Sequence, residues 1–194
     1  MNLFDLITNE DIQKLPLRSF KGKVYVVDTQ DECAKALRTL NRESVIGFDT
    51  ETKPAFLKGE YNHTAIVQLS TEYEAFLFRL KKIPNLSPLF RLLEDGALTK
   101  LGISITDDLK DLNKVHPFSP QGFTDINDTA KEIGMKHIGV RKLAALCLGY
   151  RISKGQQTSN WENEKLSEAQ QRYAATDAWI CLAIYNELSK KGYL

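Results

Sequence analysis

The chain has 194 residues, 42% hydrophobic and 26% charged, and its 26 basic and 25 acidic side chains leave a net charge of +1. This is the profile of one ordinary α/β-sized globular domain, expected over residues 1–194 with residues 1–22 as an N-terminal appendage, and it excludes a globally basic nucleic-acid footprint while leaving local patches open. Cys33, Cys147 and Cys181 are odd in number and form no CxxC, no basic leader precedes an apolar run, and no stretch is apolar enough to span a bilayer, so a cytoplasmic protein without disulfides, zinc or membrane contact is expected.

The first element is a short helix within residues 1–20, followed by a strand, KVYVVDT (23–29), rich in β-branched residues. Thr29 with Glu32 three residues on reads as a capping box opening the helix DECAKALRTL. SVIGFDTE (44–51) is the second strand, and TAIVQLST (64–71) with EAFLFRL (74–80) reads as a hairpin. Ser87 is expected to cap a helix carrying Pro88 at its first position. LTKLGISI (98–105) reads as a strand, a helix starts near Asp107, and residues 116–124 read as a loop. DINDTAKEIG and GVRKLAALCLG are two more helices, and Ser167 with Gln170 caps a long last one, EAQQRYAATDAWICLAIYNELSK. Strands first and helices later predict an α/β layer fold built on a mixed sheet.

Three places in this order carry acids at the end of a core element. VIGFDTET ends in Asp49 and Glu51, which share a strand face because side chains alternate with period two, while Thr50 points the other way. In RYAATDAW, Tyr173 and Asp177 are four apart on one helix face, separated by small residues that permit close packing on a sheet. In GISITDDLKDL two acids open a helix. Asp108 lies four before the apolar Leu112 and should face the sheet with it, whereas Asp107, about 100° around, should be exposed. Each feature has a bland explanation: an edge strand entering water, a polar stripe, or acids favoured by a helix dipole. Together they place four carboxylates where open α/β sheets put their sites, and a cluster of that kind is tolerable only beside cations, hard divalent ones for all-oxygen donors.

VIGFDTET, GISITDDLKDL and YAATDA resemble the three exonuclease motifs of the DEDD superfamily, and the YxxxD spacing resembles its tyrosine branch, the family of ribonuclease D and of the Werner syndrome exonuclease domain. The similarity runs from about residue 23 to 189, with TAIVQLS, LCLG and SNWENEKLSEAQQRYAATDA as supporting stretches, and is greater to the Werner type. The resemblance implies a ribonuclease H-like mixed β-sheet with helices on both faces. It matches Asp49, Glu51, Asp108 and Asp177 to the four acids and Tyr173 to the tyrosine. It further implies two divalent cations, Mg²⁺ or Mn²⁺, about 3.5–4 Å apart. Asp49 would bridge them, Glu51 and Asp177 would complete the first, and Asp108 would hold the second. Tyr173 would orient the attacking water, since a free tyrosine, with a pKa of about 10, is a poor base. The expected reaction is 3′–5′ hydrolysis of terminal phosphodiesters to nucleoside 5′-monophosphates.

Substrate contacts are expected from Thr52, which follows the DxE, and from Phe56, which either stacks on a terminal base or packs on the domain. Residues 131–154 hold Lys131, Lys136, Arg141, Lys142, Arg151 and Lys154 against Glu132 alone; Arg141 and Lys142 are the candidates for phosphate binding, and a solvated helix face is the alternative. Trp161 and Trp179 read as packing residues. DNA is favoured as the partner because ribonuclease D carries further helical domains and this sequence stops at Leu194. A separate helicase or repair partner fits the Werner-type likeness. The alternatives are a ribonuclease D-like RNA-trimming enzyme and a nucleic-acid-binding module that has lost catalysis. A nucleotide-dependent oxidoreductase is disfavoured because no GxGxxG or P-loop follows a strand.

Overall fold

The computed structural model describes residues 3–55, 59 and 61–194. In chain order the elements are α1 (Asn9–Lys14), β1 (Lys23–Val27), α2 (Gln30–Leu40), β2 (Val45–Thr52), β3 (Thr64–Ser70), β4 (Glu74–Arg79), α3 (Ser87–Leu93), β5 (Thr99–Gly102), α4 (Thr106–Val115), β6 (Phe123–Asp125), α5 (Ile126–Glu132), α6 (Val140–Leu143) continued by a π-helical turn (Ala144–Leu148), and α7 (Glu168–Lys190). The described strands form one mixed sheet in the order β1-β4-β3-β2-β5-β6. β2 and β3 and then β3 and β4 pair antiparallel, while β1–β4, β2–β5 and β5–β6 are parallel. This is the ribonuclease H-like architecture, with helices on both faces of the sheet.

The alternation along β2 decides what each face receives. Ile46 and Phe48 enter a core shared with Leu37 and Leu40 of α2, Leu89 and Phe90 of α3 and Leu112 of α4. Gly47, Asp49 and Glu51 take the opposite face, which α7 covers. At Gly47 the helix comes so near that a Cβ would stand 2.0 Å from the Ala178 carbonyl oxygen and 2.6 Å from Ser70 Oγ. Glycine is needed there for close approach, and the buried Ala174, Ala175 and Ala178 supply the matching smooth side of α7.

Two features fix α7 at its start. The Ser167 side chain accepts from the Gln170 N–H, completing the predicted capping box. Ahead of it, the buried Arg79 at the end of β4 donates to the Glu164 carbonyl at 2.9 Å and to the Asn163 carbonyl, tying down the connection into the helix. Trp161, only 1% exposed, packs with Ile66, Leu77 and Ala174 and lies beneath Tyr173, ring centroids 6.0 Å apart. The residues ahead of β1 also lie on this side: Leu3, Ile7 and Ile12 are buried against the α7 core, and the Phe20 N–H donates to Thr176 Oγ1 at 3.0 Å.

The predicted elements hold with four corrections. α3 begins on Ser87 itself, with Leu86 at its N-cap and no side-chain cap, while Asn85 Oδ1 accepts the Ser87 N–H. The strand expected to reach Ile105 stops at Gly102, because the chain turns through Ser104 in a left-handed conformation (φ 60°) held by Asn127 Nδ2 on Ser104 Oγ at 2.9 Å. Phe123–Asp125, read as the end of a loop, pairs with β5 as a short edge strand. The helix read as GVRKLAALCLG is α-helical only to Leu143 and finishes as a π turn on Gly149 (φ 71°), a position where glycine carries no steric penalty.

Gly47→Ala should cost about 1–3 kcal/mol in urea unfolding, because overpacking forces α7 off the sheet; the same variant should lose more activity than stability, since the displaced helix carries Asp177.

Candidate active site

β2 pairs with β5 only from Val45 to Gly47. Beyond Gly47 the β5 side of the strand is open, because β5 has already ended and the Ser104 turn leads away into α4. The cleft occupies that opening. It is a hollow of about 230 Å³ with Asp49, Thr50 and Glu51 from β2, Tyr173, Asp177 and Cys181 from α7, Val140 of α6, and Ile103, Ile152, Ser153, Lys154 and Gln157 from the loops.

Asp49, Glu51 and Asp177 each present a carboxylate oxygen within 4.8 Å of the others. Glu51 is 9% exposed. Burial, then the charges of Asp177 and Asp108, holds the Asp49 carboxyl well above the usual carboxylate range. Burial and the neighbouring Asp49 push Glu51 up to about 10. Burial raises Asp177 to about 7, against the pull of the Tyr173 hydroxyl and Lys154. The Tyr173 phenol is raised too, by burial first and then by Asp177 and Glu51, so it remains a hydroxyl donor at neutral pH.

Asp108 stands outside this trio. It sits in the first turn of α4 on the far face of β2, where its Oδ1 accepts the Thr50 hydroxyl. Burial raises its pKa and the Thr50 bond opposes the rise. It nevertheless lies within electrostatic reach of Asp49 and Glu51. Asp107 is exposed and pairs with Lys110 at 2.9 Å, as the helical arithmetic requires. The expected convergence of four acids is thus three in contact and one held beside them by Thr50.

Of the expected substrate residues, those described lie outside the cleft lining. Thr52 is half-buried at the irregular end of β2, paired with Thr64, and does not line the cleft. Arg141 and Lys142 do not line it either; Lys142 Nζ meets His137 Nδ1 at 3.1 Å, and the α6 residue facing the cleft is Val140. Phe56 lies outside the described residues. Ser153, Lys154 and Gln157 line the cleft without having been picked out individually. Only the positive charge of Lys154, within the basic stretch 131–154, gave any signal of them.

The donor set fits hard cations. The three clustered groups are all carboxylates, Glu51 buried and Asp49 and Asp177 half-buried, and short of positive charge apart from Lys154, and such a set is stable when a divalent ion supplies the missing charge.

A ribonuclease H-like sheet with clustered acids at the end of its central strand has the donor set of a site that could hold a divalent cation. Residues 24–192 match the sequence profile of the 3′-5′ exonuclease family, and the chain belongs to that family. The bifunctional 3′-5′ exonuclease/ATP-dependent helicase WRN of Mus musculus is 29% identical over 92% of this chain, and ribonuclease D of Shewanella sp. is 34% identical over 56% of it. The chain spans only 13% and 28% of the lengths of those two proteins. Among solved structures, the Aedes aegypti Nibbler EXO domain superposes with a TM-score of 0.81 at 24% identity, covering 90% of this chain and 92% of that one.

The raised carboxyls set a sign for stability. Groups whose folded pKa exceeds the unfolded one bind extra protons in the folded state, so their contribution is complete below the unfolded value and is lost as pH rises through the folded one. Metal-free protein should therefore lose stability from about pH 5 upward, through Asp177 near 7 and Glu51 near 10. Mg²⁺ or Mn²⁺ should restore it increasingly with pH in thermal melts. Asp49→Asn should melt above metal-free wild type at alkaline pH, by roughly 2–8 °C, and gain nothing from metal.

Proposed function

We propose that this protein is a metal-dependent 3′–5′ exonuclease that hydrolyses terminal phosphodiesters of nucleic acid, prefers DNA, and releases nucleoside 5′-monophosphates. The observation that carries the reading is the contact of Asp49, Glu51 and Asp177 beside the Tyr173 hydroxyl, within a chain of the 3′-5′ exonuclease family. Asp49, Glu51 and Asp177 would hold one divalent cation; Asp49 would share a second with Asp108, through water. Bound cations supply acidity to the attacking water and charge to the leaving 3′-oxygen.

The chain's own groups do the rest. Tyr173, kept protonated by its setting, donates its hydroxyl hydrogen to Asp177, and its oxygen accepts from the nucleophilic water and orients it rather than removing its proton. Thr50 fixes the Asp108 carboxylate through its hydroxyl. Lys154, beside Asp177, is placed to meet the scissile phosphate.

The DNA preference rests on likeness to WRN running over 92% of the chain, against 56% and 77% for two ribonucleases D. A helicase or repair protein on a separate chain is the partner this likeness suggests. RNA trimming is the second reading, favoured by the higher identity to ribonuclease D, 34%, where the two align. Discrimination would arise at the 2′ position of the sugar. A cytoplasmic setting is proposed with the three cysteines in mind, all free and buried. Among the described residues no helix is long and apolar enough to cross a membrane.

The test is release of mononucleotides from 3′-recessed duplex DNA and from matched RNA, with magnesium, manganese or EDTA. Stepwise 3′ loss that needs metal and disappears in Asp49→Ala is expected, faster on DNA. Faster loss from RNA would select the second reading, and intact ends with retained binding would leave only a binding module. Tyr173→Phe should lower kcat by about 10–100-fold, no more than the low end of the range for a lost proton-transfer group because Tyr173 only orients the water, while keeping the metal-induced rise in Tm.

A further inference from the structure

We infer that a basic groove opening off the cleft at Tyr173 carries the phosphates of the substrate strand behind its 3′ terminus. The inference rests on the exonuclease reading above and assigns a path to the rest of the strand. The groove has a volume of about 380 Å³, and Ser153 and Tyr173 line both it and the cleft, so the two are continuous. Its floor is one stripe of α7, Ala169, Arg172, Tyr173 and Thr176, at the i, i+3, i+4, i+7 spacing of a single helix face. One wall is the segment 17–21, which brings Arg18 and Lys21; the other is the loop at 153–156.

The charges run in the sense a nucleic acid requires. No carboxylate is among the described residues lining the groove, while Arg18, Lys21 and Arg172 all are. Arg18 and Lys21 are exposed and make no ion pair among the described residues. Lys154 stands at the junction, in the cleft beside Asp177. A strand whose last phosphodiester sits at the carboxylates would pass Lys154 and then meet three further cations.

These cations are mounted on fixed backbone. Arg172 Nη1 donates to the Phe20 carbonyl at 2.9 Å and the Gly22 carbonyl at 3.2 Å, joining floor to wall. The Arg18 N–H donates to the Arg151 carbonyl at 2.9 Å, and the Arg151 N–H donates to the Pro16 carbonyl at 3.0 Å. The wall is thus held before substrate arrives, which lowers the ordering cost of binding. Arg141 and Lys142 line neither hollow.

The experiment compares wild type, Arg18→Gln/Lys21→Gln, and Lys35→Gln/Arg38→Gln, a pair of exposed α2 residues whose loss changes net charge equally. KM and kcat are read on a single-stranded dinucleotide and a twelve-residue oligonucleotide over a range of salt. For Arg18→Gln/Lys21→Gln the expected result is a several-fold rise in KM on the long substrate, with kcat held. The slope of log KM against log salt should also fall by about 1.4, or roughly 0.7 for each phosphate contact removed. The effect should shrink on the dinucleotide. A slope equal to wild type, an equal change in the α2 control, or an equal loss on the dinucleotide would overturn the groove while leaving the exonuclease intact. Absence of mononucleotide release by wild type would overturn both.

Discussion

Three carboxylates within 4.8 Å of one another in a half-dry cleft are the constraint around which this molecule is built. Two unit charges at that distance repel by on the order of 3 kcal/mol at an effective dielectric of about 20. The fold relieves this only through the Tyr173 hydroxyl and Lys154 beside Asp177, and does much to enforce it. Gly47 removes the side chain that would keep α7 away, the alanines of α7 fill the gap, Arg79 anchors the connection ahead of the helix, and Trp161 supports Tyr173 from below. Stability alone would favour none of this for bare acids. It makes sense where a counter-charge is part of the working state, the kind of local violation expected at functional sites.

The four acids are not equivalent. Asp49, Glu51 and Asp177 lie between β2 and α7 and share the burial that drives their protons back on. Asp108 comes from the opposite face, reaches the site past the end of β5, and is held by Thr50. In the proposed reading this makes the two cation positions unequal: one bounded by a rigid trio, the other dependent on a helix that follows the strained Ser104 turn. Tyr173 adds a hydroxyl donor at a distance set by one helical turn from Asp177.

Most of this was legible because it depends on short periods. Strand alternation put Asp49 and Glu51 on one face and Thr50 on the other, helical spacing put Tyr173 with Asp177, and the same arithmetic separated Asp108 from Asp107. The capping boxes at Thr29 and Ser167 formed as their residue patterns required. What stayed hidden depends on long-range contacts. Nothing local shows that β5 stops at Gly102, since the Ser104 turn is held by Asn127 from a later helix. Arg141 and Lys142 carry positive charge but do not line the cleft, and sequence has no means of choosing between the faces of so short a helix. Ser153, Lys154 and Gln157 lie in an irregular loop with no periodicity to reveal them.

The central claim is that the carboxylate trio exists to hold metal. Calorimetric titration of the metal-free protein with Mn²⁺, in buffers of different ionisation enthalpy, tests it most directly because it reads binding and proton release together. The account predicts saturable binding accompanied by release of protons from the raised carboxyls, more at neutral than at alkaline pH, and abolished in Asp49→Asn. Absence of saturable Mn²⁺ binding by folded wild type, or binding that Asp49→Asn leaves unchanged, would contradict it.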